Sequence, residues 1–282
     1  MLLKSSIAPA LLIALCAVAA ARGASERENT NTSPITAVDS VAITVSDADQ
    51  AAAFYSRVLT FEKVADREVS GEEYEHLFGV FGVRIRAVRM RLGEEYVELL
   101  QFLAPRGRPV PVDSRSNDRW FQHIAIVVSD MDVAYARLRA SHVEHASSGP
   151  QRLPDWNPNA AGIRAFYFRD PDEHNLEILE FASQGPGVEF LEYLSPHNGR
   201  ALPADTQSND LWSWHIILRA AHAQEVESSL RRSHVALVST NAVHLSDATL
   251  NWRDALIARD PDGHTTLISD AAVQQGGKPL EE

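Results

Sequence analysis

Two glutamates sit where the chain predicts apolar β-strands. Glu98 lies in YVELL and Glu177 in NLEIL. A buried carboxylate is costly unless it is paired or bound to a cation, so these two residues are candidates for cation binding or for proton transfer. The alternative interpretation is a solvent-facing residue, because antiparallel sheets commonly have one wet face.

A duplicated block shows that this placement recurs. Residues 96–126 read YVELLQFLAPRGRPVPVDSRSNDRWFQHIAI, and residues 187–218 read GVEFLEYLSPHNGRALPADTQSNDLWSWHIIL. Each copy carries a glutamate on its first strand and delivers a histidine, His123 or His215, to the start of the next one. Such internal duplication indicates repeated supersecondary units, and it favours a shared role for the glutamates.

The elements around these residues follow one order. The first unit has a strand from Val38, a helix at about 47–59, and strands at 61–69, 83–92 and 96–103, rich in Val, Ile, Phe and Tyr. The second unit has a helix at 131–140, capped by Ser129 or Asp130, and strands at 163–168 and 175–181. The predicted unit is therefore a βαβββ module in an α+β protein.

Similar turns close two of the units. RDPDEH at 169–174 and RDPDGH at 259–264 are tight-turn sequences that join neighbouring strands. We interpret His174 and His264 as structural residues that local backbone groups satisfy. With the VAITVSD…AFY opening and the strand glutamates, these motifs resemble the vicinal oxygen chelate superfamily, which includes glyoxalase I, extradiol dioxygenases, fosfomycin-resistance enzymes and bleomycin-binding proteins.

The resemblance covers residues 38–270 and implies both a fold and a site. In that superfamily two βαβββ modules pair into a cup-shaped sheet, and two strands of each module point a residue at a divalent metal. The corresponding positions here are Ser40, Glu98, His123 and Glu177. Because serine is a weak ligand, the resemblance implies metal binding by Glu98, His123 and Glu177, with water completing the shell and Glu177 or Glu98 moving the proton.

The ligand composition favours some ions over others. One histidine and two carboxylates suit Zn, Ni, Co or Mn. An iron-dependent extradiol dioxygenase is less favoured, since its facial triad needs two histidines and one carboxylate.

The module pattern predicts two unequal halves. Residues 38–183 form a two-module domain with the metal cup, and residues 186–270 form an incomplete second half. A third module is reduced there to one orphan strand at 187–194, followed by one full module. The incomplete half either covers the edge of the first cup or pairs with another subunit in a homodimer.

The second half lacks a full set of ligands. Glu189 and His215 remain, but Leu267 stands where the other modules have glutamate. Two ligands rarely hold a catalytic metal, which normally takes three from the protein. We therefore predict no active centre in that half.

The amino terminus predicts export. Residues 1–23 have the pattern of a secretory signal peptide, which favours a secreted or periplasmic protein without a stable membrane partner, and residues 24–37 are a polar, flexible lead-in. The only cysteine, Cys16, lies in that leader, so the mature chain has no thiol nucleophile. A formal net charge of −12 argues against nucleic acid and anionic lipid and leaves a small molecule as the expected partner.

The resemblance implies a metal-dependent lyase or isomerase of the glyoxalase I type, with metal-assisted proton transfer on a substrate that has two adjacent oxygens. The alternatives are a non-catalytic small-molecule-binding protein and a degenerate remnant of a four-module protein. A series of arginines in the third strand offers an anion contact, although a solvated strand edge is the simpler interpretation: Arg84, Arg86, Arg89 and Arg91.

Overall fold

The computed structural model describes residues 34–156, 161–180, 193, 196–247 and 249–271. The elements in chain order are β1 Ile35–Thr44, α1 Ala48–Leu59, β2 Glu62–Ser70, α2 Glu72–Phe78, β3 Arg84–Leu92, β4 Glu95–Ala104, β5 His123–Val127, α3 Met131–Ala140, β6 Glu144–His145, β7 Gln151–Arg152, β8 Arg164–Arg169, β9 Asn175–Glu180, β10 Trp214–Ala220, α4 Ala223–Arg232, β11 Ala236–Leu237, β12 Val243–His244, β13 Trp252–Arg259 and β14 Thr265–Ala271. The α+β class and the repeated βαβββ modules are confirmed.

Helices α1 and α3 begin where the sequence provides a capping side chain. The Asp47 carboxylate accepts from the backbone N–H groups of Asp49 and Gln50, and α1 follows. Asp130, one of the two residues predicted to cap the second helix, does the same before α3. A side-chain oxygen at this position satisfies N–H groups that have no partner inside the helix.

The structure differs from the sequence prediction at the amino-terminal lead-in and between β2 and β3, and two predicted segments lie outside the described residues. The lead-in is shorter than expected, because residues 35–37 already belong to β1 and the predicted lead-in ran to 37. The short helix α2, between β2 and β3, was not predicted. The signal peptide at 1–23 and the orphan strand at 187–194 with Glu189 lie outside the described residues.

The modules pair in a different order from the predicted one. A nine-stranded sheet runs β11-β13-β14-β10-β1-β4-β3-β2, with β12 on β13, so it joins the first module (β1–β4) to the last module (β10–β14). The junction is the antiparallel pair of β1 and β10. The second module (β5–β9) forms a separate sheet, β5-β9-β8-β6 with β7 on β8. The predicted domain of residues 38–183 is therefore divided between two sheets.

Each face of the large sheet packs against different elements. On one face, α1 and α3 lie between the two sheets, and their side chains share a core with residues from both, including Ile43, Phe166 and Leu176. On the opposite face, called here the inner face, α2 inserts Tyr74, Leu77 and Phe78 among apolar strand residues. Within the described residues, no helix combines the length and the apolar character needed to cross a bilayer.

The two copies of the repeated block form loops that hold each other. Arg108 of the first loop (105–122) bonds Asp210, and Arg200 of the second loop (196–213) bonds Asp118, at 2.7 and 2.6 Å. Each arginine also lies over a tryptophan ring, Arg108 over Trp212 in the second loop. These equivalent contacts relate the two loops by an approximate two-fold axis.

Candidate functional site

The second module brings two predicted site residues into contact. His123 begins β5, and Glu177 lies in β9, which runs parallel to β5. The Nε2 atom of His123 lies 3.2 Å from Glu177 Oε2, and the two side chains are only 9% and 5% exposed. A nitrogen and a carboxylate oxygen at this distance form a hydrogen-bonded pair or present two donors to one cation.

Aromatic rings hold the imidazole of His123 in place. The rings of Phe121 and Tyr167 lie 5.8 and 5.3 Å from it, measured between ring centroids. Tyr167 stands edge-on to the imidazole and lies on β8 opposite Glu177. This packing limits the rotation of His123 and keeps its Nε2 atom directed at the carboxylate.

Glu98 lies in the other sheet, on the inner face. Its carboxylate accepts from Arg89 Nη1, and the same guanidinium nitrogen lies 3.2 Å from Asp39. Arg219 bonds Asp39 from β10, so two carboxylates and two guanidinium groups form one cluster. Burial raises the pKa of Glu98 to about 7, although the charge of Arg89 acts in the opposite direction.

The structure does not bring the three predicted metal ligands together. His123 and Glu177 are in contact, whereas Glu98 is held by Arg89 in the large sheet. In the parts of the chain that the structure describes, no group of three or more His, Cys, Asp or Glu side chains could hold one metal ion. The physical reason is the strand pairing, because β1 pairs with β10 and not with β5.

The inner face carries the positions that correspond to the ligands of the last module. His215 and Glu98 both pair with Ala42, one on each side of β1, and so lie in one row across the sheet. Ser40 donates from its hydroxyl to Asp39, and Leu267 is fully buried in the core. Neither residue adds a metal donor of ordinary strength to this row.

His215 is fully buried, and its hydrogen bonds define its tautomer. The Thr265 hydroxyl donates to the Trp214 carbonyl at 2.8 Å, so its oxygen accepts from His215 Nδ1 at 2.7 Å. The Nε2 atom then carries a lone pair, and no hydrogen-bond partner from the described part of the chain reaches it. Burial lowers the pKa of His215 to about 4, helped by the charge of Arg259.

Arg89 is the site residue that the sequence interpretation underrated. The arginine-rich strand β3 is not a solvated edge, since it pairs with β2 on one side and β4 on the other. Arg89 faces Glu98 across the β3–β4 ladder, and its guanidinium stacks on the Tyr96 ring at 4.1 Å. The charge among the apolar strand residues of RIRAVRMRL was the available signal.

The turn histidines have the predicted structural role. His174 is buried, bonds Asp170 through Nδ1 at 2.8 Å, and reaches the Leu211 carbonyl through Nε2 at 2.7 Å. His264 bonds Asp260 and the Arg119 carbonyl in the same way. Each histidine therefore ties a strand-joining turn to one of the crossing loops.

Residues 37–178 match the family model described as Glyoxalase/Bleomycin resistance protein/Dioxygenase superfamily. This match covers the first and second modules with Glu98, His123 and Glu177. The chain belongs to this superfamily. The matched residues lie in both sheets. The first and second modules are therefore neighbours in sequence, but the first module pairs in space with the last one.

Individual proteins of known name are also similar to this chain. A "2-epi-5-epi-valiolone epimerase" of Actinomyces sp. is 32% identical over 155 residues, which is 53% of this chain and 82% of that protein. A glyoxalase family protein from Bacillus cereus is 22% identical, with 50% and 91% of the two chains covered and a TM-score of 0.41. A glyoxalase I mutant from Zea mays is 11% identical, with 84% and 68% covered and a TM-score of 0.37.

Replacing Glu98 by glutamine is expected to remove a pH dependence of stability. Because folding raises the pKa of Glu98 from 4.5 to about 7, its contribution is present below the ordinary value and is lost as the pH rises through 7. Between about pH 5 and pH 8, the wild-type chain should lose about 2 kcal/mol more unfolding free energy than Glu98→Gln. Urea unfolding at both pH values measures this difference.

The control for this experiment is Glu95→Gln, an exposed glutamate on the same strand. It should follow the wild type at both pH values. Equal pH dependence of the wild type and Glu98→Gln would contradict the raised pKa.

Proposed function

We propose that this protein is a metal-dependent enzyme of the superfamily that transfers a proton on a small substrate with two adjacent oxygens. The observation that carries the proposal is the buried pair of His123 and Glu177, with Nε2 and Oε2 3.2 Å apart. Buried polar groups at this spacing on neighbouring strands are typical of sites that bind a cation or move a proton.

The donor atoms of His123 and Glu177 are of the types that bind a divalent ion, but they are fewer than a catalytic metal site normally has. His123 offers an imidazole nitrogen and Glu177 a carboxyl oxygen, which suit Zn, Ni, Co or Mn. A catalytic site normally takes three protein donors, and this pair supplies two. Such an ion, when bound, supplies Lewis-acid polarisation of a substrate oxygen.

The side chains themselves have defined roles in the proposal. His123 is oriented by the rings of Phe121 and Tyr167, which pack against its imidazole. Glu177 is the group that accepts and returns a substrate proton, because it is the carboxylate in contact with the histidine. Glu98 no longer belongs to this site, since Arg89 holds it in the other sheet.

The epimerase relative supports proton transfer as the reaction type. Inversion of a carbon centre next to a carbonyl proceeds by removing a proton and returning it to the other face. A lyase or isomerase of the glyoxalase I type needs the same step, whereas an oxygen-dependent ring cleavage does not. We also propose export of the chain by residues 1–23, which fractionation of the producing cells would test.

Metal analysis of the purified chain is the experiment that tests the proposal. After reconstitution with Zn, Ni, Co, Mn or Fe, the wild-type chain should retain metal, and His123→Ala and Glu177→Ala should bind it more than about 100-fold more weakly, since even outer partners of a ligand contribute about 10–100-fold. Mass spectrometry after removal of free metal gives the content of each protein.

Glu98→Ala is the matched control, because it removes a strand glutamate outside the pair. It should retain the metal of the wild type. Loss of metal in this variant would restore the three-ligand set predicted from sequence, and a wild type that retains none of the five ions would contradict the metalloenzyme.

A non-catalytic small-molecule-binding protein is the second candidate. The favouring observation is the inner face, where Ser40 and Leu267 replace donors and Arg89 neutralises Glu98. A metal-free wild type that binds an aromatic or aliphatic ligand, measured by calorimetry, would favour this candidate.

A further inference from the structure

His174 is a buried histidine that the proposed reaction does not use. It is the last residue of the turn between β8 and β9, and its side chain and that of Asp170 are 1% and 0% exposed. Its Nδ1 atom lies 2.8 Å from Asp170 Oδ2, and its Nε2 atom lies 2.7 Å from the Leu211 carbonyl oxygen. Both ring nitrogens of this histidine thus have an oxygen partner inside the protein, as buried polar atoms require.

Both oxygen partners of the ring are hydrogen-bond acceptors. A carbonyl has no proton to give, and Asp170 already accepts through Oδ1 from the backbone N–H groups of Asp172 and His174, at 2.9 and 3.0 Å. Hydrogen bonds of this kind favour an ionised carboxylate. The two contacts of the ring therefore call for a proton on Nδ1 and another on Nε2, which is the imidazolium form.

The groups around the imidazolium stabilise its charge. The turn contributes the carboxylates of Asp170 and Asp172, whose charges add to burial in raising the pKa of the Tyr55 hydroxyl on α1. The second loop contributes the Leu211 carbonyl, and β10 contributes the uncharged ring of Trp214, edge-on at 5.4 Å between centroids. Burial alone would lower the pKa of the histidine, but the charge and hydrogen bond of Asp170 outweigh burial, so the pKa is raised above its ordinary value of 6.5.

Leu211 lies where the two crossing loops meet. Its backbone N–H donates to the Arg108 carbonyl of the first loop at 2.9 Å, while its own carbonyl accepts from His174. The second loop continues into β10, whereas the turn of His174 joins β8 to β9, the strand that carries Glu177. The imidazolium therefore ties the second module to the loop that leads into the large sheet.

Loss of one proton from the ring would affect its two contacts unequally. A neutral imidazole keeps one N–H, and a hydrogen bond to a carboxylate is stronger than one to a carbonyl. The remaining proton therefore stays on Nδ1 toward Asp170, and Nε2 turns a lone pair toward the Leu211 oxygen. Two lone pairs at this separation repel each other, so the second loop is the part that is released.

We propose that His174 is a pH-sensitive switch, which holds the second loop against the second module as an imidazolium and releases it when the ring loses a proton. Because folding raises the pKa of His174, the contact with Leu211 is complete below pH 6.5 and is lost as the pH rises through the higher value of the folded protein. His264 makes the equivalent contacts with Asp260 and the Arg119 carbonyl, but its side chain is 34% exposed. Water can replace a lost partner there, so the switch belongs to the second module alone.

Nitrogen NMR and hydrogen exchange test the switch together. In protein labelled at its histidine nitrogens, the His174 ring should carry protons on both nitrogens at neutral pH and lose one at alkaline pH. The protection factor of the Leu211 amide, corrected for intrinsic exchange at each pH, should fall about tenfold over the same interval, as expected when one hydrogen bond is lost. The His174 amide, which donates to Asp170 within the turn, should keep its protection.

His174→Gln is the variant that removes the switch, because glutamine does not titrate. Its spectrum should assign the His174 signal by the absence of that signal, and the protection of its Leu211 amide should not depend on pH. His264→Gln is the matched control, since it changes the equivalent histidine of the other turn. It should follow the wild type in the exchange of Leu211.

Three results would overturn the switch. The first is a His174 ring that is already neutral at neutral pH. The second is a Leu211 amide whose protection stays constant while the ring titrates, and the third is an equal loss of protection in His174→Gln. If His174→Gln does not fold, exchange of the wild-type peptide that contains Leu211, measured by mass spectrometry across the same pH interval, decides between a pH-dependent contact and a constant one.

Discussion

Gly107→Ala and Gly199→Ala are each expected to destabilise the protein by at least about 3 kcal/mol, at the upper end of the usual cost of overpacking. A Cβ at residue 107 would lie 1.8 Å from the Asn209 carbonyl oxygen, and one at residue 199 would lie 1.7 Å from the Asn117 carbonyl oxygen. Both obstacles are backbone atoms, so no rotamer change relieves the contact. The crossing loops would have to separate.

Urea unfolding of the two variants measures this cost. Gly149→Ala is the control, because its nearest neighbour would be the Tyr135 hydroxyl at 3.9 Å, an ordinary contact, and it should stay within about 0.5 kcal/mol of the wild type. A Gly107→Ala protein as stable as this control would mean that the loops do not cross at the observed distance.

The loops explain why this clash would affect the whole molecule. The first loop leads from β4 in the large sheet to β5 in the small one, and the second loop leads back to β10. The buried carboxylates Asp118 and Asp210 accept both side-chain and backbone N–H donors from the opposite loop. The loops therefore fix the two sheets to each other where the chain passes between them.

The helix starts and the buried strand glutamates could be predicted because residues next to them in the sequence determine them. Asp47 and Asp130 cap helices whose sequence position follows from the repeated Val-Ser-Asp turn. The burial of Glu98 and Glu177 followed from their apolar strand neighbours, and both are below a tenth exposed. The contact of His123 with Glu177 also lies within one module, and the family resemblance together with the repeat implied it.

The choice of module partner could not be predicted from such signals. All three first strands carry the same alternation of apolar residues, and β1 could have paired with β5 or β10 on pattern alone. The deciding contacts are far apart in sequence, such as Arg219 with Asp39 and Arg108 with Asp210. The predicted placement of Glu98 beside His123 depended on this choice and does not agree with the structure.

The sequence around helix α2 contains helix start and stop signals from which this helix could have been predicted. The segment EEYEHLF has acidic residues in its first turn and lies between Gly71 and Gly79, and Gly79 adopts a left-handed conformation with φ 66°. Acidic residues at the start and glycine after the end are typical of a helix. Its insertion fills the inner face with Phe78, whose ring lies 6.1 Å from that of His215.

His215 should make the protein sensitive to acid. Folding lowers its pKa from 6.5 to about 4, so the unfolded chain takes up a proton that the folded chain excludes. The contribution of this residue is intact above pH 6.5 and is lost as the pH falls towards 4. Relative to a variant without the titrating group, the wild type should lose about 2.5 kcal/mol of unfolding free energy between pH 7 and about pH 4.5.

His215→Gln is the variant that isolates this effect, because glutamine keeps a donor for Thr265 and does not titrate. As the pH falls, the unfolding free energy of the wild type minus that of His215→Gln should decrease, whatever this difference is at pH 7. His76→Gln, at a half-exposed histidine on α2, should run parallel to the wild type throughout. If His215→Gln also ran parallel, the imidazole would have to be reached by water or a proton donor in the folded state, and the inner face would be more open than α2 leaves it.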